Sequence, residues 1–108
     1  MANFRSGTVT NTSTSIKTTG ADVLELSIVN RHSAVIYVRF YDLDVATFQD
    51  TPLKTYAVAA SGGLLQIPTT YPAIFSSTLG LCVRVATGAT DNDNTAAATL
   101  PVIELQYK

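Results

Sequence analysis

The stretch Arg31–Thr47, RHSAVIYVRFYDLDVAT, alternates side chains with a period of two and then breaks into an acidic turn. Ile36, Val38 and Phe40 fall on one side of it, and Tyr37, Arg39 and Tyr41 on the other. A β-strand sends successive side chains to opposite faces, so this spacing predicts a strand with its aliphatic face on a core. The second face is less ordinary. It carries two of the chain's five tyrosines with an arginine between them. Tyr and Arg are enriched at protein–protein interfaces, where they combine contact area with directed hydrogen bonds. Tyr37, Arg39 and Tyr41 are therefore candidates for a contact surface, the alternative being a place under a loop or on the second side of the sheet.

The same period recurs along the chain. In DVLELSIV (22–29), Leu24, Leu26 and Ile28 oppose Glu25 and Ser27. In LGLCVRVA (79–86), Leu79, Leu81, Val83 and Val85 oppose Cys82 and Arg84, and in VIELQYK (102–108), Ile103, Leu105 and Tyr107 oppose Glu104, Gln106 and Lys108. GTVT, TSIKTT, KTYAVA and LLQI are shorter candidates. No window shows an apolar stripe at helical spacing, and β-branched residues dominate. Gly-, Pro-, Asn- and Asp-rich breaks separate these runs at intervals that suit a small all-β domain. The expected fold is an antiparallel two-sheet β-sandwich, with immunoglobulin-like or jelly-roll connections. Residues 20–108 form its single domain. Residues 1–19 are rich in Thr and Ser with few apolar anchors (Phe4, Val9, Ile16), and read as a polar N-terminal arm or edge segment.

Composition bounds the partners. At 108 residues the chain is long enough for one core, with roughly two-thirds of its unfolded surface buried. Seven basic and eight acidic residues give a net charge of −1, which supplies no electrostatic footprint for nucleic acid. No run reaches membrane-spanning length and the first residues lack a signal-peptide layout, so neither a membrane nor export is expected. The Asn11-Thr12-Ser13 sequon then carries no meaning. Cys82 is the one cysteine and pairs with nothing within the chain.

The residues that could carry chemistry are few. His32 is the single histidine and lies in a polar turn. Ser61 sits in ASGGL, which lacks the Gly-x-Ser-x-Gly of a nucleophile elbow. Asp42 and Asp44 have strand spacing but no apolar surroundings to raise a carboxyl pKa, and they read as turn caps. TDNDNT (90–95) offers Asp91 and Asp93 as oxygen ligands for a hard cation, yet it lacks the EF-hand glycine and closing glutamate. A solvated loop is the expectation there, and Cys82 reads as a small filler. No catalytic residue, metal ligand or cofactor is predicted, and the chain is not expected to be an enzyme.

The runs SAVIYVRFYD, TPLKTYAVAASGGL, GLCVRVATGATDNDNTA and VIELQYK, in that order over residues 22–108, resemble small β-rich structural proteins of tailed bacteriophages. Those proteins carry an aromatic Y-V-K-x-Y strand, a Pro-led strand into a Gly turn, an acidic-Thr loop and a final L-x-Y-K strand. Arg39 and Phe40 replace the more usual Lys and Leu, and the first residues lie outside the likeness. The resemblance implies a capsid decoration (cement) protein, made in the host cytoplasm and placed on the capsid exterior of the virion. Its partner would be the major capsid protein. Few charges and 46% hydrophobic residues point, separately, to self-association as a homotrimer, with Phe4, Tyr37, Arg39 and Tyr41 as the expected interface residues. The alternative is a receptor- or glycan-binding module of a tail or head fibre, using Tyr56, Tyr71 or the acidic loop.

Overall fold

A computed structural model describes all 108 residues. It contains nine strands and no helix: β1 (Ala2–Ser6), β2 (Thr14–Lys17), β3 (Asp22–Asn30), β4 (Ile36–Tyr41), β5 (Lys54–Val58), β6 (Gly63–Ile67), β7 (Phe75–Ser76), β8 (Leu81–Ala86) and β9 (Val102–Tyr107). One sheet has the order β1-β9-β3-β6, with the short β7 added beside β3, and the other has β2-β8-β4-β5. Every pairing is antiparallel. The all-β sandwich expected from period-two alternation is the observed architecture.

The strand order also resolves the connectivity. Apart from β7, the pairings nest: β4 with β5 innermost, then β3 with β6, β2 with β8, and β1 with β9 outermost. A hairpin of eight strands rolled so that its two ends meet gives this order, the jelly roll rather than the immunoglobulin connection. Ile36, Val38, Phe40, Leu81, Val83 and Val85 of one sheet face Val23, Leu26, Ile28, Ile103 and Leu105 of the other in one apolar cluster. Phe40, Tyr56 and Phe75 meet inside it, with ring centroids 5.2 to 6.4 Å apart. Rings at such separations add to what their burial alone contributes.

Three details depart from the alternation. Leu24, expected beside Leu26 and Ile28, is fully buried but stands outside their cluster, at a break in register between Val23 and Glu25. A bulge of one residue reverses the faces on either side of it, so Val23 takes the core position. Leu79, expected in line with Leu81, lies before β8 and is 68% exposed. Asp42 causes this by accepting the Thr78 and Leu79 amides at 2.9 and 2.8 Å, which bends the chain out of strand geometry. Gly80 completes the bend, since a Cβ there would stand 2.5 Å from the Asp44 nitrogen. GTVT (7–10) is not a strand, and ANFRS just before it is.

Residues 1–19, read as an arm or edge segment, supply an edge strand to each sheet. β1 pairs with β9 from Ala2↔Tyr107 to Ser6↔Ile103, and β2 pairs with β8. Val9, between them, is fully buried, and Phe4 packs against the core. Main-chain ladders need no apolar side chains, so a polar sequence forms edge strands as readily as it forms an arm.

Candidate functional site

The β4 face of Tyr37, Arg39 and Tyr41 is the outer face of its sheet, and β8 adds Cys82, Arg84 and Ala86 to it. Solvent does not reach most of it. Arg39, Tyr41, Cys82, Arg84 and Ala86 have no accessible surface, and Tyr37 is half-buried. The two longest connections of the fold, 42–53 and 87–101, fold back over the sheet and roof it. The expectation of Arg39 and Tyr41 as contact residues is thereby corrected, because a side chain without accessible surface touches no partner. Phe4 packs against the core from the other sheet and, like Tyr37, keeps partial exposure, so the correction touches Arg39 and Tyr41 alone.

Under the roof, Arg39 and Arg84 are register partners on adjacent strands. Arg39 Nη2 donates to the carbonyls of Gly88 at 2.7 Å and Thr90 at 2.8 Å. Arg84 Nη2 donates to those of Asp91 at 3.2 Å and Asp93 at 2.9 Å, and its Nε donates to the Tyr41 hydroxyl at 2.7 Å. Neither forms an ion pair, the one salt bridge being Arg5–Glu104 on the surface. Arg39 Nε and Nη1 and Arg84 Nη1 have no hydrogen-bond acceptor. The guanidinium groups lie instead 5.5 Å from the Tyr37 ring centroid and 5.8 Å from that of Tyr41. An aromatic face offers a cation partial compensation. Burial first, and then the neighbouring Arg84 charge, holds the Arg39 pKa below its ordinary value, while Tyr41, Asp91 and Asp93 oppose the shift. Burial also pushes the Tyr41 phenol up. The two arginines are thus a latch, gripping four backbone carbonyls of one loop from below.

The acidic loop is fastened from within as well. The Asp93 carboxylate accepts from the Gly88 amide at 2.9 Å and from the Thr95 amide and hydroxyl at 3.1 Å each. Its oxygens serve the loop, while Asp91 is exposed and contributes its backbone to the latch. The second roofing loop rests on a smaller cluster of Tyr41, Ala46 and Cys82, with Leu43 against it. Burial pushes the Cys82 thiol up to about 11, and it acts there as packing. Asp44 accepts from the Ser15 hydroxyl at 2.6 Å, and the Ala46 amide donates to Ser13 Oγ at 3.2 Å, tying this loop to the β2 edge.

Between the two loops and residues 11–13 opens a cleft of about 450 Å3. Asn11, Thr12, Ser13, Val45, Ala46, Thr47, Phe48 and Asn94 line it, and none is charged. Nothing in the alternation indicated it, because all eight residues lie outside the strands. The one available signal was the length of the connections at 42–53 and 87–101, greater than two short strands need.

The other candidates lie apart. His32 Nδ1 accepts from the Thr99 amide at 3.4 Å, while Ser61 meets the His32 residue through its backbone amide. Beside them Asn30, which drew no attention in the sequence, is fully buried. Its Nδ2 contacts the carbonyls of Ala34, Val58 and Ala59 at 2.9 to 3.1 Å, and its Oδ1 accepts from the His32 amide. Tyr56 stands edge-on to Phe40 in the core margin, and Tyr71 is exposed.

Acid should loosen the loops. Hydrogen bonds from Leu79 and then Thr78 hold the Asp42 carboxyl below its usual pKa, although partial desolvation opposes them. For Asp93, desolvation raises the pKa but the Thr95 and Gly88 bonds outweigh it, and the net shift is also downward. A carboxyl depressed in the folded state contributes stability above its unfolded pKa and loses it as pH falls through the folded value. Melting temperature should therefore hold steady from neutrality down to about pH 5 and fall below about pH 4. Asp42→Asn should lower the plateau and flatten the acid limb, which thermal scans across pH would show.

Comparison with protein-family models, curated proteins and solved structures finds no match to this chain, so the likeness to phage structural proteins rests on its sequence pattern.

Proposed function

We propose that the protein is a structural component of a tailed-phage virion, a decoration protein that binds the assembled shell through its own surface and reinforces it. The observation that carries the proposal is an exposed leucine held in a fixed place. Leu79 is 68% exposed, yet its amide and both polar groups of Thr78 are bound by the Asp42 carboxylate. A segment whose backbone is fixed before binding loses less entropy when a partner covers it. Tyr71, 65% exposed, shares this end of the sandwich, because the 68–74 connection is tied to Val23 and Leu24 as Ser77 is to Ala21. Leu53, whose amide donates to the Phe40 carbonyl of β4, adds a third exposed apolar side chain.

Burying Arg39 and Arg84 supports the same reading of the surface. Two of the seven basic residues are inside, so what remains outside is mostly uncharged and, on balance, acidic. Attachment to a shell would be apolar and hydrogen-bonded, with strength from many copies acting on one lattice. A homotrimer would match the three-fold positions of such a lattice. The chemistry of the jelly roll is of no help here, since one fold hosts many functions.

A copy count on particles purified from the encoding phage tests the proposal. Hundreds of copies are expected. Leu79→Asp should lower occupancy by about tenfold or more while shifting stability by no more than about 0.5 kcal/mol, as for other exposed sites. Particles that lack the protein would end the proposal, and a few copies each would point to a fibre instead.

A further inference from the structure

We propose that the cleft between the roofing loops is a binding site for a neutral saccharide. Its volume of about 450 Å3 lies in the usual range for small-ligand sites, about 300–1,000 Å3. The lining chooses among ligand classes. A charged ligand would leave water for a cleft with no countercharge, at a desolvation cost that nothing offsets. A wholly apolar ligand would cover the Asn94 carboxamide and Asn11 Oδ1 without offering them partners. An extended peptide needs a free strand edge to pair with, and no cleft residue belongs to a strand.

A sugar ring fits both halves of this lining. Phe48, 37% exposed, and Val45, 70% exposed, offer apolar surface to a C–H face. Asn94 is engaged through its backbone carbonyl, which takes the Asn11 Nδ2 donor at 2.9 Å. That leaves the Asn94 carboxamide and Asn11 Oδ1 to meet hydroxyl groups, with Thr12 Oγ1 shared with Thr10 at 2.9 Å.

The walls are already in place. Asn94 follows Asp93, whose carbonyl is held by Arg84 and whose carboxylate closes the loop. Opposite, the Asp50 carboxylate accepts the Thr47 amide at 2.8 Å, and Ala46 is bonded to Ser13 and seated on Tyr41 and Cys82. A site whose supports are buried needs little ordering when its ligand arrives. The buried arginines are therefore positioning residues for this cleft.

The inference stands apart from attachment to a shell, because it is tested on purified protein. Screening on an array of neutral and acidic glycans should find neutral ones captured. The best of them, titrated into 15N-labelled protein, should give saturable shifts confined to residues 11–13, 45–48 and the neighbourhood of 94. Phe48→Ala and Asn94→Ala should each weaken binding by about tenfold or more with unchanged melting temperature, and Tyr71→Ala should leave it alone. Should one cleft variant fail to fold, the other decides. The site is overturned if no neutral glycan is captured, if acidic glycans bind more tightly, if the shifts lie elsewhere, or if both variants bind like the parent.

Discussion

Arg84→Ala is expected to destabilise the fold by about 3–5 kcal/mol, the range for removing one member of a buried charged network. The change deletes the bond to the Tyr41 hydroxyl and both bonds to the 91–93 carbonyls, and it leaves Arg39 with fewer neighbours under the loop. Amide exchange should locate the damage: residues 87–95 should lose protection first, while the β3 and β9 amides should keep theirs. A second variant separates charge from packing. Replacing both arginines by Met removes two like charges that share a buried face, and the freed carbonyls sit near enough to solvent to be hydrated. That double variant should therefore be more stable than Arg84→Ala, even though it changes more residues. If it is the less stable of the two, the arginines contribute by direct bonds to an extent that outweighs their mutual repulsion.

The second large effect belongs to Asn30→Ala, expected to cost about 2–4 kcal/mol. The side chain is fully buried and joins the end of β3 to the turn at Ala34 and to the end of β5, in the opposite sheet. Removing it strands the buried Val58 carbonyl and leaves those of Ala34 and Ala59, at the margin, to water. In a domain near this size each kcal/mol lowers the melting temperature by about 4–8 °C, so the loss is easily read by calorimetry. Asn30→Asp should be no milder, since it removes the donor and places a carboxylate beside the same carbonyls. A melting temperature within a degree or two of the parent for either variant would show that water fills the gap.

The strands were legible because alternation reports which residues share a face, and in β4, β8 and β9 every second residue enters the core cluster or packs against it. Alternation says nothing of what lies beyond a face. Arg39 and Arg84 were placed correctly opposite the core, but the cover over Arg39 comes from residues 49 and 51 positions away in sequence, whose path depends on the finished sheet. The cleft was hidden for the same reason: its lining is gathered from three separate connections. Leu79 misled because the period ran one step past the true start of β8, where the Asp42 carboxylate, just beyond the end of β4, captures the backbone. Asn30 went unnoticed because one carbonyl partner, Ala34, lies in the adjacent turn while the other two, Val58 and Ala59, come from the end of β5, a distant segment.

The nested order of the strands sets a timetable for the growing chain. Ala2 is paired with Tyr107, so β1 must wait for β9, the strand of this domain made longest after it. β2 likewise waits for β8, whereas β4 and β5 can meet as soon as both have emerged. Pairings between distant segments are slow to form because the intervening chain must be closed first. A nascent chain stopped before Val102 holds β1 with no ladder to join and leaves the β9 side of β3 open. Such an open edge invites the edge of another unfinished copy, which makes the interval between β8 and β9 the period when crowded synthesis exposes this protein most to misassembly.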